Sequence, residues 1–244
     1  MEQQRRMIML NISRNQMDKF NEIKKKFLSN TKIPRENRWK KMSNNDIWLD
    51  LVTQVIVVGN SAPFYRFYED EKLQDEISYE KLIRINSEGE LKKKINKVLR
   101  AVGTRYVSSN YSKCKKTAAL VHNLMVLKKY KEGPKGLIEE LSCKNEDITK
   151  IKYFMNNFKY IGSKSARDYL MGLGLVKNTV ALDVRIQNIF NKIGIKLPKG
   201  FENNPKIYDE IEKDILTKIC QPLGLDGIQF DRMLYQNYDE IMDL

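Results

Sequence analysis

Apolar residues in this chain recur at the helical period and almost nowhere at the strand period. Between residues 147 and 158 they fall at Ile148, Ile151, Met155 and Phe158, and between 115 and 130 a stripe runs through Thr117, Leu120, Leu124 and Leu127. Steps of three and four keep such residues on one face of a helix, whereas the odd steps would throw them to opposite faces of a strand. Local punctuation agrees. Ser43 followed by Asp46 forms a capping-box pattern ahead of residues 44–58, Asp147 is the cap or first-turn acid of its helix, and Pro205 suits the first turn of the helix over 205–219, whose Ile207, Ile211, Ile215 and Ile219 recur every four residues. No pair of alternating runs flanks a hairpin turn. Loops are marked by Asn60-Ser61-Ala62-Pro63, by Glu132-Gly133-Pro134 and by residues 197–204. The expected fold class is all-α, with about ten to twelve short helices.

Lysine and arginine number 44 against 31 aspartates and glutamates, a net charge of +13 over 244 residues. Such an excess repels itself, so an acidic partner is expected, with nucleic acid ahead of a merely solvated lysine-rich surface. No apolar run approaches the roughly 20 residues of a membrane span. The start MEQQRRMIML has a charged beginning but only a short apolar segment, which does not read as a signal peptide. An intracellular, cytoplasmic and nucleoid-associated protein is expected. Three widely spaced cysteines, Cys114, Cys143 and Cys220, argue against a disulfide framework, a zinc site or a four-cysteine cluster. The single histidine, His122, reads as a packed or surface side chain rather than a ligand or base. No metal and no cofactor is expected.

The most informative segment is FKYIGSKSARDYLMGLGLVKNTVALDVRI, residues 158–186. One amphipathic helix ends near Phe158, a tight turn follows at Tyr160-Ile161-Gly162, and Ser163 is placed to cap a second helix that Gly172 and Gly174 terminate. The glycine permits close approach of the backbone, and the new helix presents unpaired N–H groups, which together suit a phosphate. Lys164 falls in the first turn of that helix, where the positive end of the dipole disfavours a cation and favours the neutral amine. Burial would have to add to that field before the lysine became nucleophilic at neutral pH. Asp183 precedes another amphipathic stretch, with Ile186, Ile189, Phe190 and Ile193 on one face, and by itself reads as an ordinary N-cap.

Taken together, IGSKSA followed by ALDVRI resembles the signature of the helix-hairpin-helix DNA glycosylase superfamily: Gly162, Lys164, Ala166 and Asp183 fall where that signature has its glycine, lysine, alanine and aspartate. The resemblance extends to VGTRYVSSNYSKCKKTAALVHN (102–123), to LDLVTQVIVVGNSAPF (49–64) and to LGLDGIQFDRMLYQNYDEI (223–241), the last similar to the tail of the prokaryotic type 2 8-oxoguanine glycosylases. Three departures stand out. Tyr160 replaces the first hairpin glycine, Tyr235 stands where the type 2 tail has tryptophan, and the chain ends Met242-Asp243-Leu244 rather than in a lysine.

The resemblance implies a bifunctional DNA glycosylase and AP lyase of base excision repair. Lys164 would attack the sugar and form a Schiff base, with Asp183 accepting a proton or stabilising the developing positive charge. DNA would be held by Tyr160, Ile161, Gly162 and Ser163 and by the basic candidates Arg105, Lys113, Lys115 and Lys116, each of which by itself reads first as part of a solvated face. Asn60 would enter the gap left by the flipped base or is simply a turn asparagine. Tyr235, with Asp231, would recognise the base or is a core aromatic. The implied architecture has two helical subdomains beside a DNA-binding cleft, 1–63 with 184–244 and 64–183, the hairpin occupying about 147–173. The implied partner is double-stranded DNA containing a damaged base, acted on by a monomer. The alternatives are the same chemistry on another damaged base, and a non-catalytic hairpin protein that only binds DNA.

Overall fold

The computed structural model describes residues 10–244, and among these all regular structure is helical. The reading of the first residues as no signal peptide concerns residues 1–9, which lie outside the described residues. In chain order the helices are α1 (Arg14–Phe27), α2 (Asn44–Ile56), α3 (Ala62–Glu69), α4 (Glu71–Glu76), α5 (Tyr79–Leu82), α6 (Glu88–Ala101), α7 (Lys115–Lys128) and α8 (Gly133–Ser142). They continue as α9 (Asp147–Asn157), α10 (Ser163–Gly172), α11 (Val184–Ile193), α12 (Pro205–Ile215), α13 (Gln221–Leu223), α14 (Gly227–Gln236) and α15 (Tyr238–Met242). The count exceeds the ten to twelve expected because segments as short as α5 and α13 form single turns, below the length at which periodicity registers. No helix among the described residues is long and apolar enough to cross a membrane.

The caps follow the local sequence. Ser43 Oγ accepts from Asp46 N and Asp46 Oδ2 accepts from Ser43 N, closing the expected capping box on α2. Asp147 proves to be the first-turn acid of α9, with Glu146 at the cap. The helix expected over 205–219 is α-helical only to Ile215, and its last part, Leu216–Cys220, widens into a π-turn.

The chain divides into two compact units. Residues Asn37–Leu175 form one and residues 10–36 with Val176–Leu244 the other. These boundaries differ from the expected 63/64 and 183/184. The central unit begins earlier because α2 packs on α5, α7, α8 and α10, all within it. It ends earlier because residues 177–182 hydrogen-bond to α12 and α14: Ile228 N donates to Lys177 O, and Val180 N donates to Glu212 Oε1.

In the central unit α2 is the axis of the core, with Ile47, Trp48, Leu51, Val52, Val55 and Ile56 all fully buried. The Trp48 indole donates to Ile77 O at 2.8 Å. Burying each of these large apolar side chains is worth about 1.5–3 kcal/mol, the main force holding the unit together. In the other unit Phe20 of α1, Phe190 of α11 and Phe230 of α14 meet ring to ring, with centroids 5.5–6.2 Å apart. Ile211, Ile215 and Ile219 pack into the same core.

Candidate active site

The functional candidates gather at two helix N-termini, one in each unit. In the central unit α9 and α10 form a helix-hairpin-helix. The turn between them is clamped from α7: Asn123, wholly buried, accepts from Lys159 N at 2.8 Å and donates to Lys159 O at 3.1 Å. His122 Nε2 lies 3.0 Å from Asn157 O, so the single histidine braces the hairpin from an exposed position. Tyr160 takes φ +62°, the left-handed conformation that the missing glycine would have supplied without strain. Its side chain is partly exposed while Ile161 beside it is buried.

Gly162, not Ser163, is the N-cap of α10. Ser163 occupies the first helical position, and its hydroxyl is buried with no hydrogen-bond partner among the described residues. The correction follows from backbone geometry. Gly162 is extended, φ −92° and ψ −171°, as a cap residue must be, and the helix starts one residue later. A Cβ built on Gly162 meets nothing within 4 Å, so the space in front of the turn is open. The far end of α10 closes in a Schellman motif, with Gly174 N donating to Met171 O at 2.9 Å and Leu175 N to Leu170 O at 3.0 Å, Gly174 being left-handed at φ +68°.

Lys164 stands in the first turn of α10. Its Nζ lies 3.4 Å from Asp168 Oδ2, one turn along, and Gln54 Nε2 of α2 donates to the same oxygen at 3.2 Å. The Lys164 side chain is 34% exposed and that of Asp168 22%. A pair so open to water contributes at most about 0.5 kcal/mol to stability. Nearby, Arg38 Nη1 lies 3.6 Å from Asp50 Oδ2. Desolvation pushes the Asp50 carboxyl above its ordinary range; the Arg38 guanidinium opposes this, and Asp46 and Asp168 add to it. Arg167, fully buried, turns its guanidinium back to Ser163 O at 3.0 Å.

The basic candidates separate. Arg105, Lys113 and Lys115 are exposed. Lys116 is not: it is 0% exposed, and its Nζ donates to Val58 O at 2.7 Å. Burial lowers its pKa. Lys116 is thereby withdrawn from any phosphate contact made by this structure, because α7 turns that side inward under the loop after α2. Arg105 also donates to this loop, Nη1 to Gly59 O at 3.1 Å, and lies 4.9 Å over the ring of Tyr106. Asn60 is exposed, and its Oδ1 accepts from Ala62 N at 3.0 Å, the bond of a turn asparagine. Tyr106, left-handed at φ +62° and 69% exposed, was not singled out by the sequence reading, although its unusual backbone sits beside Arg105.

In the terminal unit Asp183 is the N-cap of α11, Oδ1 accepting from Ile186 N at 3.1 Å. The strand-like approach to it is fixed residue by residue. Glu212 accepts from Val180 N and from the Thr179 hydroxyl, Asp231 Oδ2 accepts from Ala181 N at 2.7 Å, and the Tyr208 hydroxyl accepts from Leu182 N at 2.7 Å. Asp231, a base-recognition candidate, is thus buried and bound to the backbone two residues before Asp183. Tyr235 is partly exposed, with the guanidinium of exposed Arg185 4.9 Å from its ring and 5.7 Å from that of Tyr238. Arg185, two residues past Asp183, escaped the sequence reading because an isolated arginine in a first turn carries no pattern. No group of three or more metal-ligating side chains occurs among the described residues.

No protein-family model matches the sequence, and no curated protein matches it either. Solved structures do. The crystal structure of the 8-oxoguanine DNA glycosylase of Thermotoga maritima is 23% identical, with a TM-score of 0.61 over 90% of this chain and 92% of that one. The 8-oxoguanine DNA glycosylase of Methanocaldococcus jannaschii is 20% identical, with a TM-score of 0.62 over 90% of this chain and 91% of that one. A structure of the Methanocaldococcus jannaschii glycosylase/lyase in complex with a 15mer DNA containing 8-oxoguanine is 18% identical, with a TM-score of 0.61 over 92% of this chain and 98% of that one. Over about nine-tenths of its length, then, the chain has the all-helical fold of these three structures.

Proposed function

We propose that the protein is a bifunctional DNA glycosylase and AP lyase of the helix-hairpin-helix superfamily that removes 8-oxoguanine from double-stranded DNA, acting as a monomer. The observation that carries this reading is the conjunction of a fold shared with 8-oxoguanine glycosylases and a lysine in the first turn of the hairpin's second helix. A hairpin alone would serve binding; a lysine set against the helix dipole has no stabilising purpose there.

In this reading the duplex backbone meets the open side of Gly162, the N–H groups that start α10, and the exposed side chains of Tyr160, Arg105, Lys113 and Lys115, while the buried Ser163 offers its backbone rather than its hydroxyl. The damaged nucleotide leaves the stack, at a cost of a few kcal/mol, and Asn60 and Tyr106 face the gap. The neutral amine of Lys164 attacks C1′; the C1′–N9 bond breaks and the base departs with its electron pair, taking a proton from solvent. Asp183 accepts the proton that nitrogen sheds, or balances the positive sugar as it develops. The C1′–O4′ bond then breaks, O4′ taking up the proton that Asp183 or solvent holds, to leave a protonated Schiff base on Lys164; loss of a C2′ proton follows, and β-elimination expels the 3′ phosphate. Water then hydrolyses the Schiff base and frees Lys164. Tyr235, beside Arg185, offers a flat polarised face for the extruded base.

Incision of duplexes with a single lesion tests the reading. Wild type should nick at 8-oxoguanine on the 3′ side and Lys164→Gln should not. Binding without nicking by wild type would leave only a DNA-binding protein. A second reading, the same chemistry on another damaged base, is favoured by Tyr235, which stands where the resembled tail has tryptophan. A lesion panel separates the two, since faster incision at an oxidised pyrimidine than at 8-oxoguanine would select the second.

A further inference from the structure

The Lys164–Asp168 pair is poorly explained as a helix stabiliser. The lysine precedes the acid, the weaker order for an i,i+4 pair, and it sits at the end of the helix where the dipole repels it. Asp168 is nonetheless anchored from outside its own helix. Gln54 reaches from α2 to the oxygen that faces Lys164, and in doing so leaves its own Oε1 buried without a donor. Folded proteins rarely leave a buried acceptor so, and where they do it is often at a site built for something other than stability.

We propose that Asp168, held by Gln54, is a positioning residue that fixes the Lys164 amine at the start of α10 and keeps it in the ammonium form until DNA is bound. This rests on the reading of Lys164 as the nucleophile. A carboxylate 3.4 Å away favours the charged amine and so opposes the helix dipole. The protein at rest therefore carries a docked, unreactive lysine, and the amine is released for attack when the ammonium gives its proton to solvent. Asp168 itself forms and breaks no bond to the sugar.

Other charges around this pair are named by the packing. α2 presents Asp46 and Asp50, the latter paired with Arg38. On α10, Arg167 turns to Ser163 O and Tyr169 donates to Ile47 O. On α9, which packs on α10, Lys150 is committed to Asp147 and Leu175 O, and Lys152 is also present.

The test is the rate of borohydride trapping on a duplex carrying an abasic site, measured from pH 5.5 to 9 for wild type, Asp168→Asn and Asp168→Ser. An abasic substrate needs the amine but not base recognition. Removing the carboxylate should move the rising limb of the profile down by roughly 0.4 pH unit, so trapping on that limb becomes about two- to threefold faster. The plateau at high pH should fall, because the amine is no longer held. Asp168→Glu should restore the wild-type limb. A limb left in place in both neutral variants overturns the proposal, including the case in which only the plateau falls, which is what general damage to the fold would give. If wild type itself traps nothing over this range, the nucleophile reading fails and the proposal falls with it. If Asp168→Asn does not fold, Asp168→Ser decides.

Discussion

The two helix starts that carry the candidate chemistry are built in opposite ways. Ahead of Asp183 the backbone is pinned by buried acceptors, with Glu212, Asp231 and the Tyr208 hydroxyl each taking a successive N–H from Val180 to Leu182. Ahead of Lys164 the turn is held at its base, by Asn123 on Lys159, and left open at its tip, where Gly162 has free space, the unpartnered Ser163 hydroxyl lying buried behind it. On the proposed function, the difference separates two tasks. A carboxylate that must stand at a fixed place is worth a run of buried polar bonds. A backbone that must meet a bulky anion needs unspent donors and room in front of them.

Breaking the pinned side should produce the largest effect on stability. Glu212→Ala strands two buried donors, Thr179 Oγ1 and Val180 N, and should cost about 3 kcal/mol. Urea denaturation measures it; a loss under ~1 kcal/mol would mean the segment is not held as described. Gly227→Ala belongs to the same test, since an added Cβ would strike the backbone of Thr179 and should cost about 1–3 kcal/mol. Breaking the hinge of the open side should cost less: Asn123→Ala removes both bonds to Lys159, about 2 kcal/mol by the same measurement.

The comparison sharpens at Gly162→Ala. Its extended backbone accepts alanine and its surroundings are empty, so stability should change by less than about 1 kcal/mol. Duplex affinity should fall about tenfold, or ~1.4 kcal/mol, as titration by fluorescence anisotropy would show. A stable variant with unaltered affinity would remove the phosphate from the hairpin. The smallest effects belong to single surface cations. Arg105→Ala, Lys113→Ala and Lys115→Ala should each lower the log–log salt slope of binding by about 0.9 if they touch phosphates. Lys116→Ala should leave the slope alone and instead lower thermal stability, because its ammonium holds Val58 O from within.

Much of this was legible in the sequence where the signal is local. The hairpin, the lysine in a first turn, the aspartate at a helix start and the Ser43–Asp46 box are each written within a few consecutive residues. The cap of α10 was misplaced by one residue, because Ser163 has the better side chain but Gly162 has the cap conformation. What escaped is tertiary. Glu212 and Asp231 lie 32 and 50 residues from the amides they hold, and nothing in α12 or α14 marks them as buried. Lys116 stands between exposed Lys115 and buried Thr117, on a helix apolar around most of its circumference, so no stripe shows which way it points. The unit boundaries also depend on such contacts. Residues 177–182 are joined to the terminal unit by bonds to side chains far along the chain, not by any break in composition.

One measurement bears on the nucleophile most directly. Wild-type protein is reduced with borohydride on an 8-oxoguanine duplex, digested, and the peptide carrying the sugar remnant is identified by mass spectrometry. The adduct should lie on Lys164. Its appearance on any other lysine, or the absence of an adduct under conditions where the strand is nicked, would contradict the account.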